Sequence, residues 1–162
     1  MSRMTTTTAD STAAPTGTGT GTGTGTSTGT DPLTRAQGTA LLDGWTRLWN
    51  GDLALAPDLI APGFRLRFGN SVPGTGPDAT LDRPDLTAFI RAHRQERPGL
   101  TYAVDGTPVV DRTRAEVAAR WTATYTDGSG GPVTKSGIDL LAIADGRIAA
   151  VWSLTGDRRF AP

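Results

Sequence analysis

The chain has 162 residues, with 16 Lys plus Arg and 16 Asp plus Glu, so its formal net charge is zero, and it has no cysteine. That balance lacks the basic field of a nucleic-acid binder, and without cysteine there are neither disulfides nor thiolate metal sites. No stretch approaches the roughly 18 apolar residues of a membrane span, and no apolar run of signal-peptide length is present near Met1. A cytoplasmic protein is expected, with neither nucleic acid nor membrane as partner.

Residues 1–30 are almost entirely Thr, Gly, Ser and Ala, with alternating Gly-Thr from Thr16 to Thr26. Nothing large and apolar is available there to offset the entropy of ordering, which predicts a disordered tail. One domain is expected over 31–162. Asp31-Pro32 is a helix-start signal, and Leu41, Leu42, Trp45, Leu48 and Trp49 then form one apolar stripe at helical spacing. Asn50-Gly51 stops this helix. Asp52 is expected to cap a short second helix that carries Leu53, Leu55, Leu59 and Ile60 and ends at Pro62-Gly63. Phe64, Leu66 and Phe68 alternate with Arg65 and Arg67, the pattern of a strand with one buried face.

Gly69 to Asp82, rich in Gly, Pro and Asp, reads as a loop long enough to form a rim or lid. A third helix starts at Asp82-Arg83-Pro84, presents Leu86, Phe89, Ile90 and His93 on one face, and closes at Pro98-Gly99. Arg91 to Arg97 is its solvated face, and Arg158-Arg159 a polar C-terminus. Beyond Gly99 the chain reads as strands: Leu100 to Val104, a turn at Asp105-Gly106, Pro108 to Val110, Glu116 to Thr126, Val133 to Ala144, and Ile148 to Leu154. Asp145-Gly146 is a strong hairpin signal. Gly128, Gly130 and Gly131 lie in a loose turn with no strand-to-helix context, so they are not a phosphate cradle. The order predicts an α+β fold, an antiparallel sheet with its helices on one side.

Several phrases carry a resemblance: Leu48-Trp49-Asn50-Gly51-Asp52-Leu53, Ile60-Ala61-Pro62-Gly63-Phe64, Arg97-Pro98-Gly99-Leu100, and Ser136-Gly137-Ile138-Asp139-Leu140 running through Asp145-Gly146-Arg147-Ile148 to Val151-Trp152. In this order and spacing they resemble the SnoaL-like, polyketide-cyclase-like branch of the nuclear-transport-factor-2-like superfamily. The resemblance implies a cone-shaped curved sheet packed on three helices, an apolar cavity open at one end, and a homodimer formed through the outer sheet face. It implies a small hydrophobic ligand such as a polyketide, steroid or terpenoid, handled without a cofactor.

It also locates positions where relatives keep their chemistry. Polyketide cyclases follow the final-strand Trp with an acid/base Asp, and limonene-epoxide-hydrolase-like proteins keep a carboxylate at much the same point; here Trp152 is followed by Ser153. The ketosteroid isomerase base falls at Phe68, and the tyrosine donor at Trp45, which can donate but not ionise. Their second donor, a protonated Asp, falls at Asp139. This residue interrupts the apolar run Ile138, Leu140, Leu141 and Ile143, so it is either an acid raised in pKa within a cavity or a group paired with an Arg or a backbone donor.

His93, the sole histidine, is either a satisfied, half-buried residue or a cavity partner of Asp139. With one histidine and no cysteine, a transition-metal site is not expected. Trp45, Trp49, Phe64, Phe68, Phe89, Trp121 and Tyr125 are candidates for the cavity wall beside Ser153, with no more than about half expected to touch a ligand. Two functions follow: a cofactor-free acid/base cyclase or isomerase using Asp139 and His93, or a non-catalytic ligand-binding or dimerisation module.

Overall fold

The computed structural model describes residues 32–70 and 80–160. The Thr/Gly-rich segment 1–30 and most of the expected rim loop, residues 71–79, lie outside the described residues. Helix α1 spans Arg35–Trp49 and is capped by Thr34, not Asp31. The Thr34 hydroxyl accepts from Gln37 N at 3.2 Å while Gln37 Oε1 accepts from Thr34 N at 2.8 Å, which satisfies two end donors at once. Leu42, Trp45, Leu48 and Trp49 are its buried stripe.

The second helical segment is shorter than expected: a 3₁₀ turn at Leu53–Leu55 leads into the single turn α2, Ala56–Leu59. Asp52 makes no side-chain cap; it accepts from Arg47 instead. Strand β1 begins at once, Ile60–Phe68, and takes in Pro62-Gly63. The proline has no N–H for the ladder, and the register breaks between Ile60 and Arg65. Thr80–Leu81, expected to be loop, forms a two-residue strand β2 paired with Leu66 and Arg67. Helix α3, Arg83–Gln95, is capped by the Asp82 carboxylate as expected.

The meander follows as β3 Thr101–Asp111, β4 Glu116–Thr126, β5 Pro132–Ala144 and β6 Arg147–Gly156. The turn expected at Asp105-Gly106 is instead a bulge inside one long strand. Gly106 has φ +86°, and pairing with β4 shifts between Asp105 and Val109. Asp145 and Gly146, at φ 50° and 71°, both lie in the left-handed region required by a two-residue hairpin.

Strand order is β2-β1-β6-β5-β4-β3. The sheet is mixed, a correction to the antiparallel expectation, because β1 runs parallel to β6. The two are joined through α3 and the whole meander, a connection long enough to permit parallel pairing. The sheet is curved and open, and α1 and α3 cover its inner face. Leu48, Ile60, Phe64, Leu66, Leu86, Ile90, Leu141, Ile148 and Val151 are fully sequestered between the layers. Among the described residues no helix is long and apolar enough to cross a membrane.

Candidate functional site

Beside that solid core, α1, α3 and the inner face of β3–β6 leave an aromatic-walled cavity. The centre of a water molecule can move through about 90 Å³ of it. One water needs only on the order of 10–15 Å³ on this measure, so the space holds several waters' worth of volume.

Asp139 stands on this wall because β5 alternates: Ile138 and Leu140 turn outward, while Asp139 and Leu141 turn in. Its register neighbours are Ala119 on β4 and Ser153 on β6. Among the described residues, neither an arginine nor a backbone donor pairs with it. Two indoles do: Trp45 Nε1 donates to Oδ2 at 2.7 Å, and Trp121 Nε1 donates to Oδ1 at 2.8 Å. Burial raises the carboxyl above the ordinary range, and the donors Trp45, Ser153 and Trp121 oppose that rise only in part. Among the described residues, the acid is held in place by neutral groups.

Gly137 explains how Trp121 reaches it. These residues face each other across β4 and β5, and a Cβ at 137 would collide with the Trp121 indole and the Leu154 carbonyl. Glycine lets the indole lie against β5, with its N–H at the neighbouring carboxylate.

His93 lines the same cavity but, among the described residues, makes no bond to Asp139; of its two readings, the satisfied, half-buried one describes it and the Asp139 couple is not formed. Its Nε2 lies 3.0 Å from the Tyr102 hydroxyl. Burial, with Arg97 next in effect, lowers the imidazole to about 4, so it is neutral near pH 7. Burial likewise pushes the Tyr102 phenol upward, so it keeps its proton.

Tyr102 is a site residue that sequence reasoning missed, as are the polar lining residues Thr46, Arg120 and Thr155. The signal was present: Tyr102 and Val104 share a strand face, and both line the cavity. The Asn50 side chain, at the end of α1, fixes it by donating to Tyr102 O at 2.9 Å and accepting from Tyr102 N at 2.8 Å. Arg94 braces the same corner by donating to Trp49 O and Leu100 O.

Of the proposed wall residues, Trp45, Trp49, Phe68, Phe89, Trp121 and Ser153 line the cavity. Phe64 does not: it is fully buried in the core, packed against Trp45 with ring centroids 6.1 Å apart. Tyr125 is also absent from the lining and lies beneath the Arg97 guanidinium.

The SnoaL-like domain model matches residues 39–151, well over half the chain. The chain belongs to the SnoaL-like family, within the nuclear-transport-factor-2-like superfamily. Solved structures share the fold. PrhC from Penicillium brasilianum is 16% identical with a TM-score of 0.64, covering 76% of this chain and 83% of its own. IdmH from Streptomyces antibioticus, a proposed polyketide cyclase, is 22% identical at 0.64, covering 74% and 91%. TsrD from Streptomyces laurentii is 22% identical at 0.61, covering 76% and 90%. No curated protein matches. At such identities the likeness speaks for the fold alone, and the SnoaL-like chain's chemistry rests on its own residues.

Proposed function

We propose that this SnoaL-like protein binds a small hydrophobic molecule, polyketide-, steroid- or terpenoid-like, and moves a proton on it with Asp139 in a cofactor-free cyclisation or isomerisation. The reading rests on one observation: a carboxylate on the wall of a largely apolar cavity, bonded by two indole N–H groups and, among the described residues, by no cation. A carboxyl raised in pKa is a better base when ionised and a usable acid when protonated. The indoles hold its oxygens in position for either role. Phe68, which also lines the cavity, takes no proton, and Ser153 supplies only a hydroxyl.

A second reading has its own support. Both Asp139 oxygens are already engaged by tryptophans, as in a purely structural buried acid of a ligand-holding module. Deuterium exchange separates the two. With 2-tetralone in D₂O, a basic Asp139 removes a proton α to the carbonyl and returns a deuteron, which NMR follows as loss of the α-proton signal. Wild type is expected to accelerate exchange, and Asp139→Asn to slow it by about 100-fold or more. Binding of 2-tetralone with no acceleration in either protein would establish the non-catalytic reading.

A further inference from the structure

We propose that the cavity reads two oxygen atoms on opposite edges of one flat ring system, the first at Asp139 and Ser153, the second at Tyr102 and His93. This rests on the proposed ligand-binding role of the cavity and specifies what the ligand must carry.

The second pole is built as deliberately as the first. Tyr102 is held at three points: its backbone N–H and C=O by Asn50, and its hydroxyl by His93 Nε2. Its ring is wedged between Trp49 and Trp121, at centroid distances of 5.5 Å to each. The Tyr102 hydroxyl cannot turn without breaking the His93 contact.

The dyad accepts either kind of oxygen partner. Where Nε2 of the neutral imidazole accepts the phenolic O–H as a hydrogen bond, the phenolic oxygen keeps lone pairs for a ligand hydroxyl. Where Nε2 carries the proton, the phenolic O–H is free to donate. A ligand hydroxyl suits both arrangements.

The spacing follows from Trp121, which touches both poles. Its indole N–H bonds Asp139 at 2.8 Å, and its ring meets Tyr102 edge-on. The Trp121 indole thus reaches from the carboxylate to the phenol ring. Strand geometry agrees: Tyr102 pairs with Ala123 and Asp139 with Ala119, on opposite sides of β4 and four residues apart along it. That places the backbones roughly 13 Å apart along the strand and about 10 Å across it, and both side chains reach inward. The flanking walls, Trp45, Trp49, Phe68 and Phe89, are apolar and suit ring faces.

Calorimetric titration with dihydroxynaphthalenes tests this on the full chain. 2,6-Dihydroxynaphthalene, with oxygens on opposite edges, is expected to bind about tenfold tighter than 2-naphthol, the scale of one well-made hydrogen bond. 2,3-Dihydroxynaphthalene, with both oxygens on one edge, is expected to bind no tighter than 2-naphthol. In Tyr102→Phe the 2,6-isomer should fall to the affinity of 2-naphthol for the same variant. Equal affinity of both isomers for wild type, or an advantage of the 2,6-isomer that survives in Tyr102→Phe, overturns the second pole and leaves the cavity reading standing. Failure of all three naphthols to bind overturns both. The isomer comparison needs no variant, so it decides the matter even if Tyr102→Phe folds poorly.

Discussion

Four tryptophans occupy unequal positions, and the inequality is chemical. Trp45 and Trp121 spend their N–H groups on Asp139, whereas Trp49 Nε1 is buried with no hydrogen-bond partner among the described residues. Losing a donor to a buried carboxylate costs about 1–3 kcal/mol, and an unsatisfied buried donor carries a penalty of similar size. Trp45→Phe is therefore expected to destabilise by roughly 2–3 kcal/mol. In Trp49→Phe, relief of the orphaned N–H offsets part of the lost packing, leaving a loss smaller by about 1–2 kcal/mol. Urea unfolding of the two variants side by side checks the order; equal losses would mean that the indole bond to Asp139 contributes nothing. The titrating residues act with opposite signs. Asp139 has a folded pKa above its ordinary 3.8, so its contribution is fully present below that value and is lost as pH rises through the folded pKa. His93 drops from 6.5 to about 4, so its contribution is present above 6.5 and lost as pH falls toward 4. Between pH 4 and 6.5, Asp139→Asn should therefore gain on wild type as pH rises, and His93→Gln should fall behind. Denaturation midpoints across that range are the measurement; parallel curves for all three proteins would refute the assignments.

At the level of elements, the clearest dependence is between the end of α1 and the start of β3. Asn50 substitutes for a neighbouring strand by pairing with both backbone groups of Tyr102. Asn50→Asp keeps the acceptor but replaces the donor with an oxygen that faces the Tyr102 carbonyl. A stability loss of about 1–3 kcal/mol in urea is expected, and an unchanged midpoint would show the clamp to be incidental. In sequence Asn50 reads only as a helix stop, because its partner lies 52 positions away. The same distinction between local and distant information runs through the fold. Helices α1 and α3, the β4 boundaries and the Asp145-Gly146 hairpin were legible, since period, caps and turn chemistry are local properties. The parallel β1–β6 pairing and the Gly106 bulge were not, because pairing partners across a sheet leave no periodic trace in either strand. Asp139 was legible as a polar residue within an apolar strand, yet its indole partners come from α1 and β4 and correspond to no simple spacing.

For the whole molecule, the inner sheet face is occupied by helices and cavity, while the outer face carries an apolar patch. Ile138, Trp152 and Leu154 are 44%, 43% and 54% exposed, and Ile138 and Leu154 are direct partners across β5 and β6. Alternation forces this pairing of faces: the residues that flank Asp139 and Ser153 must turn outward. Clustered apolar groups exposed on a sheet face mark an interaction site, and we propose a second copy of the chain as the occupant, as the family resemblance implies. The patch lies at the centre of the sheet, where two copies related by a two-fold axis would lay the same strands on each other. Trp152 is also covered on one side by the Arg67 guanidinium, 5.6 Å from its ring, so one cation already stands at the patch edge. Leu154→Glu introduces a charge that a solvated strand face tolerates and a buried interface does not. Light scattering should therefore report a dimer for wild type and a monomer for Leu154→Glu, with the far-ultraviolet circular dichroism unchanged. A monomeric wild type at micromolar concentration would leave the patch without this partner, whereas a dimer that persists in Leu154→Glu would place the interface elsewhere.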